Sequence, residues 1–186
     1  MSVFSIVCLK FEYINSTIMK KLILTYGIIA GIIVSVMMLF SFSGTTEGSE
    51  PSELLGYATM VIAFSTIFFA IKIYRDKYLS GTITFGKSFQ IGLAITVIAS
   101  ILYVITWMII SNTIAKDFMA EYYQRSIEQI KNSELSPEEI LDKIAQAEKF
   151  MELYKNPAVK IGITFLEIFP VGLIISLISS IILKKK

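Results

Sequence analysis

The chain has 186 residues, of which 54% are apolar and 17% charged, with a net charge of +2. That balance is too apolar for an ordinary water-soluble domain and points to a single membrane domain. There is no histidine and one cysteine, Cys8, which excludes histidine-based catalysis, Cys/His metal sites and a disulfide framework.

Residues 1–18 precede Met19-Lys20-Lys21-Leu22, where two positive charges lead directly into an apolar run, as at a natural start. They are read as an upstream extension, disordered or absent, with 19–186 as one membrane domain. A secretory signal in the extension is disfavoured because no positive segment precedes Val3 to Leu9. A cleavable signal from Met19 is disfavoured too: the apolar run 22–42 exceeds the roughly 7 to 15 residues of a signal core, and no A-x-A precedes Gly44.

Four runs are long enough to cross ~30 Å of hydrocarbon at ~1.5 Å rise per residue: 22–42, 54–73, 88–112 and 159–183. In the first, Gly27, Gly31 and Ser35 recur every fourth residue, a spacing that lets another helix approach closely. The expected contact is the second or fourth span of the same chain; a homodimer seam is the alternative.

Between spans two and three lies a segment read as an inward loop, Lys72 to Phe89. Lys72, Arg75, Lys77 and Lys87 suit anionic lipid headgroups, Tyr74, Tyr78 and Phe85 suit the interface as aromatic anchors, and Gly81 and Gly86 permit turns. The string Gly81 to Ser88 formally fits the phosphate-loop spacing G-x-x-x-x-G-K-S. The match is rejected, because that motif needs a preceding buried strand and a soluble nucleotide domain, and both neighbours here are membrane spans.

Basic residues fall on one side of the four spans: Lys20 and Lys21, the 72–87 segment, and Lys184 to Lys186. The first loop on the other side offers Glu47, Glu50 and Glu53 and no base. The positive-inside rule therefore puts both termini in the cytoplasm. No basic stripe exists, so no nucleic-acid partner is expected.

The outward segment 116–157 reads as two amphipathic helices packed as a hairpin. Phe118, Tyr122, Ile127 and Ile130 share a face in what is read as a continuation of span three. Ser136-Pro137-Glu138-Glu139 is a capping box that starts a second helix, with Ile140, Ile144, Ala147, Met151 and Tyr154 on one stripe, and Asn156-Pro157 ends it. The 116–160 stretch interleaves seven basic and nine acidic residues, a solvated surface with no strong pull on either charge. A lid on the bundle or a docking face for another protein would account for the hairpin.

Glu167 is the only charge in the apolar run 161–183. A carboxylate near the bilayer centre costs roughly 2.5 to 3.5 kcal/mol on insertion scales, so such residues usually face the bundle interior and mark function. Tyr103, Thr106 and Thr59 lie at similar depth as hydrogen-bond partners, and no base does. The acid is read either as a neutral group locking helices together or as a proton- or cation-binding site. Asp76 lies on the opposite side of the midplane, so the two acids cannot form a catalytic pair.

The 71–92 segment, through Tyr74-Arg75-Asp76, Gly81-Thr82-Ile83-Thr84-Phe85-Gly86-Lys87 and Gly92, together with Thr164 to Gly172, resembles the bacterial membrane family catalogued as domain of unknown function 4199. The resemblance covers about 19–186. It implies a small four-span inner-membrane protein with no assigned activity, and signature positions at Arg75, Asp76, Gly81, Phe85, Gly86, Glu167 and Pro170.

The reading is an all-α integral membrane four-helix bundle with an extracytoplasmic helical hairpin between spans three and four. It is taken as a non-enzymatic structural or accessory subunit without cofactors, in contact with membrane lipids and a protein partner or further copies of itself. The second reading is a small proton- or cation-coupled transporter or channel using Glu167.

Overall fold

The computed structural model describes residues 3–43 and 53–185. Among them are six helices: α1 Val3–Ser43, α2 Glu53–Tyr78, α3 Phe85–Ile110, α4 Phe118–Lys131, α5 Pro137–Tyr154 and α6 Pro157–Leu183. Four are long and apolar enough to cross a membrane, over Ser16–Phe40, Gly56–Tyr78, Phe85–Ile110 and Pro157–Leu183. The fold is all-α, and the chain is a four-span membrane protein by the length and composition of these helices. Glu47 and Glu50 lie outside the described residues.

Helix α1 runs unbroken from Val3 through Met19. No proline interrupts it, and the first glycine is Gly27, so nothing in the sequence stops a helix that starts early.

By contact density the chain divides into two compact units, residues 1–103 with 167–186 and residues 104–166. In the first, α1 lies along α2, and glycines bring α3 against its neighbours. A Cβ on Gly27 would sit 2.8 Å from the Cβ of Ile98, and one on Gly31 would sit 2.4 Å from Leu102 Cδ1. Gly27 and Gly31 of α1 therefore meet α3, a contact the sequence did not point to. Ile98 and Leu102 repeat at the same four-residue interval as Gly27 and Gly31, so each knob finds a notch. Across the unit, Gly92 faces Ser176 and Ile67, and Gly172 faces Thr96 and Phe64. Phe64, Ile67, Ile71, Ile91, Ile95 and Ile168 are fully buried around these contacts. Lipid tails are as apolar as leucine, so what such close approach gains is van der Waals contact.

The second unit holds the last turns of α3, the turn 111–117, α4, α5 and the first turns of α6. Helix α3 ends at Ile110 and does not continue into α4. Its end is chemical: Asn112 Nδ2 donates to Met108 O (2.6 Å) and Thr113 Oγ1 to Ile109 O (2.7 Å). Meanwhile the backbone N–H groups of Asn112 and Thr113 shift to partners three residues back. Side chains that bond their own preceding turn, with a tightening ladder, are how helices stop.

Helix α5 begins with the capping box read from the sequence. Glu139 N–H donates to Ser136 Oγ at 3.3 Å and Ser136 N–H to Glu139 Oε2 at 2.9 Å, with Pro137 at the first helical position. The Ser136 bonds hold the Glu139 carboxyl below the usual range. Along α5, Ile140, Ile144, Ala147, Met151 and Tyr154 are the covered stripe, and α5 lies against α4. On α4 the covered face runs through Phe118, Tyr123, Ile127 and Ile130, while Tyr122, expected there, is 45% exposed. Tyr122 instead stacks on the Phe118 ring at 6.2 Å. Trp107 Nε1 donates to Tyr154 Oη at 2.7 Å, both side chains buried, and the Phe118 ring meets Trp107 edge-on at 5.9 Å. Helix α6 then starts from Asn156, whose Oδ1 accepts from Ala158 N–H at 2.9 Å.

Candidate functional site: an acid near the middle of the fourth span

Glu167 lies three residues before Pro170, the midpoint of α6, or ~4.5 Å along the helix axis. Of the three hydroxyls expected as partners, the structure brings Tyr103 to it: Tyr103 Oη donates to Glu167 Oε1 at 3.1 Å. Tyr103 is buried, at 8% exposure, so its ring position is set by packing and its hydroxyl is aimed from a fixed place. Thr59 is buried on α2, also at 8%. Thr106 stands one turn beyond Tyr103 on α3 and belongs to the second compact unit.

The sequence argument expected an intramembrane acid to face the interior, and here the structure differs. Glu167 is on the exposed surface of the helices. It heads a stripe that continues through Pro170, Ile174, Ile178 and Ile181, and the three isoleucines are each more than half exposed. The interior face of α6 is taken instead by Thr164, Ile168, Gly172, Ser176 and Ser180. Small residues there permit the α3 contact, and a glutamate on that face would have no room. Pro170 adds a second polar feature to the exposed side. It has no N–H to return to the carbonyl of Leu166, four residues back, which is itself on the exposed surface.

From the level of Glu167 toward the 79–84 end of the first unit, hydroxyls line the buried α3–α6 seam. Thr96 Oγ1 donates to Gly92 O at 3.0 Å and lies 3.2 Å from Ser176 Oγ; Ser180 Oγ donates to Ser176 O at 2.7 Å. Ser100 is fully buried, and its hydroxyl has no hydrogen-bond partner among the described residues.

The segment between spans two and three is mostly helix. Helix α2 runs through Tyr78 and α3 begins at Phe85, leaving 79–84 as the connection. Its turn needs the left-handed region twice, at Ser80 (φ 53°) and Gly81 (φ 84°), which gives Gly81 its reason. Gly86, expected at a second turn, lies in the first turn of α3. There Thr84 Oγ1 accepts from Lys87 N–H at 3.3 Å, as an N-cap does. The phosphate-loop string therefore follows a helix, not a strand.

Two of the residues assigned to lipid are committed elsewhere. Tyr74 is completely buried rather than an interfacial anchor, because α2 carries it onto the packed face. Arg75 Nε pairs with Asp76 Oδ1 at 2.6 Å, and its Nη1 donates to Leu183 O at 3.3 Å, a carbonyl of the last turn of α6. A guanidinium at a helix C-terminus answers both the unpaired carbonyls and the negative end of the dipole. Ile83 and Lys185 exchange backbone bonds of 2.9 and 3.0 Å in an isolated antiparallel bridge. Lys72, Lys77 and Phe85 are exposed and Lys87 is half-buried. The sequence reading missed a shallow groove of about 260 Å³ lined by Ile18, Lys21, Leu22, Thr25, Tyr26 and Tyr78.

A family model described as "Protein of unknown function (DUF4199)" matches residues 25–185. No curated protein and no solved structure matches the chain.

Proposed function

We propose, for a chain that belongs to the DUF4199 family and carries four membrane-spanning helices, a role as a non-enzymatic accessory subunit of a larger membrane assembly. The observation that carries this reading is the exposed position of Glu167 near the middle of α6. A carboxyl left against lipid at that depth is costly, and a second protein covering it removes the cost. The lysine and arginine distribution supports an orientation with both termini and the 79–84 connection in the cytoplasm of a bacterial cell, and α4 with α5 as a hairpin on the outer side of the inner membrane. Native mass spectrometry of the protein, extracted gently from its own membrane, tests the role. A stoichiometric second polypeptide is the expected result; a bare monomer or homo-oligomer refutes it.

The second reading, a small proton- or cation-coupled transporter or channel, draws support from the buried hydroxyls between Glu167 and the 79–84 end, among them Ser100 and the Thr96–Ser176 pair. A proton or cation flux in reconstituted vesicles that is lost in Glu167→Gln would favour it over the accessory role.

A further inference from the structure

We infer that the groove between α1 and α2 at Lys21 and Tyr78 binds the phosphate of an anionic phospholipid, one lipid per chain, with the acyl chains left in the bilayer. The inference stands apart from the accessory-subunit reading and from Glu167. Its basis is the chemistry of the groove lining together with the charge around it. Ile18 and Leu22, one helical turn apart on α1, give the groove an apolar side, Leu22 being buried and Ile18 half-buried. Lys21 and Thr25, also one turn apart and both exposed, give it a polar side, and Tyr26 and Tyr78 add two phenol groups. Tyr78 comes from the last turn of α2, where its ring lies 6.0 Å from that of the buried Tyr74.

The depth of the groove suits a ligand of the membrane interface. Span one begins at Ser16 and span two ends at Tyr78, and α1 lies along α2, so consecutive crossings bring these residues to the same end. Lys21 is the last charge before the apolar run 22–42 and marks where hydrocarbon gives way to headgroups, while Tyr26 stands ~7.5 Å deeper. A lysine at that level keeps its stem against apolar surface and carries its ammonium to the headgroup. At about 260 Å³ the groove is smaller than the roughly 300 to 1,000 Å³ of sites that enclose a whole small ligand, so it takes a headgroup and not an entire lipid.

Charge decides which headgroup. Between Glu12 and Glu47 the sequence has no acid, and between Glu53 and Asp117 it has one, Asp76, which Arg75 engages at 2.6 Å. Around the groove stand Lys20, Lys21, Lys72 and Lys77, all exposed. A zwitterionic headgroup would bring its own ammonium into that field. A phosphate with an uncharged substituent meets a cation and hydroxyl donors instead.

The test is native mass spectrometry of the full chain in detergent micelles, titrated with phosphatidylglycerol or with phosphatidylcholine of the same acyl chains. One phosphatidylglycerol should bind about ten-fold more tightly than phosphatidylcholine, the scale of one charge-assisted contact at an interface. Lys21→Gln should remove most of that preference; the residue is exposed and glutamine favours a helix nearly as well as lysine, so folding is retained. Lys20→Gln takes the same charge from the neighbouring position, outside the groove lining, and should leave the preference within about two-fold. Tyr78→Phe keeps the ring beside Tyr74 and removes the hydroxyl, and should weaken phosphatidylglycerol by about three-fold.

Equal affinity for the two lipids overturns the inference. So does an equal loss in Lys20→Gln and Lys21→Gln, which would make the attraction a property of the whole basic end and not of the groove. Displacement of the bound phosphatidylglycerol by an excess of inorganic phosphate would assign the groove to a free anion and overturns the lipid assignment. A preference that survives inorganic phosphate, is lost in Lys21→Gln and is kept in Lys20→Gln supports it, whatever other polypeptides accompany the chain.

Discussion

Replacing Gly172 by alanine puts one methyl group into the tightest contact between α3 and α6. The new Cβ would lie 2.4 Å from Thr96 Cγ2, 2.7 Å from Thr96 Oγ1 and 2.8 Å from Phe64 Cζ. Carbon atoms prefer about 3.5 to 4.0 Å, so Thr96 would have to retreat by roughly 1 Å. It has little freedom to do so. Its hydroxyl is bonded to Gly92 O and sits against Ser176 Oγ, and a β-branched side chain in a helix has few alternative rotamers. Overpacking of this kind costs about 1 to 3 kcal/mol, against which alanine regains up to about 1 kcal/mol of helix preference. A net loss of about 1 to 2 kcal/mol is expected, read as a lower SDS fraction at the midpoint of reversible unfolding in mixed micelles and as faster hydrogen exchange around Thr96 and Ser176. Gly56→Ala is the control: nothing lies within 4 Å of where its Cβ would stand, so it should be neutral or slightly stabilising. Thr96→Ser, which removes the clashing methyl and keeps the hydroxyl, should recover part of the loss in the double variant. If Gly172→Ala is as stable as Gly56→Ala, or if Thr96→Ser gives no rescue, the close α3–α6 contact is wrong.

Other outcomes are expected from single bonds. Tyr154→Phe takes away the acceptor 2.7 Å from Trp107 Nε1, and because Trp107 is the only tryptophan its emission reports the change directly; a spectral shift with about 1 to 3 kcal/mol of lost stability is expected, and an unchanged spectrum argues against the bond. Ser136→Ala removes the cap of α5 and should cost about 1 kcal/mol, visible as faster amide exchange at Glu138 and Glu139. The same cap depends on acid: the folded Glu139 value lies below its unfolded one, so its contribution is present above the ordinary carboxylate range and is lost as pH falls through the depressed value. Glu139→Gln should flatten that dependence of amide protection at the start of α5. Arg75→Ala releases Leu183 O and should speed tryptic cleavage at Lys184, by several-fold if the guanidinium contributes the ~0.3 to 1 kcal/mol usual at a helix C-terminus.

Much of this architecture was legible because hydrocarbon imposes a length rule that the sequence obeys openly. Four apolar runs appear as four spans, and Ser136 with Glu139 marks a helix start that depends only on neighbours three residues apart. Features that depend on which helix meets which were not legible. Gly27 and Gly31 advertise close packing, but nothing local says that Ile98 and Leu102 are what they pack against. Tyr74 looks like an interfacial anchor until α2 is seen to continue past it, and Arg75 looks like a headgroup ligand until its partner proves to be Leu183. For Glu167 the residue and its Tyr103 partner were readable from depth, whereas its face was not. Rotation about α6 is decided by where Gly172, Ser176 and Ser180 fit, not by the acid itself.

The bonds that tie the 79–84 connection to the end of α6 reach across the chain: Arg75 and Leu183 are 108 residues apart. At a synthesis rate of about 5 to 20 residues per second, span two and its connection wait roughly 5 to 20 seconds for their counterpart. Through that interval the N–H and carbonyl of Ile83 and the guanidinium of Arg75 have no partner from α6. The early spans thus remain open at one end for as long as the later ones are being made.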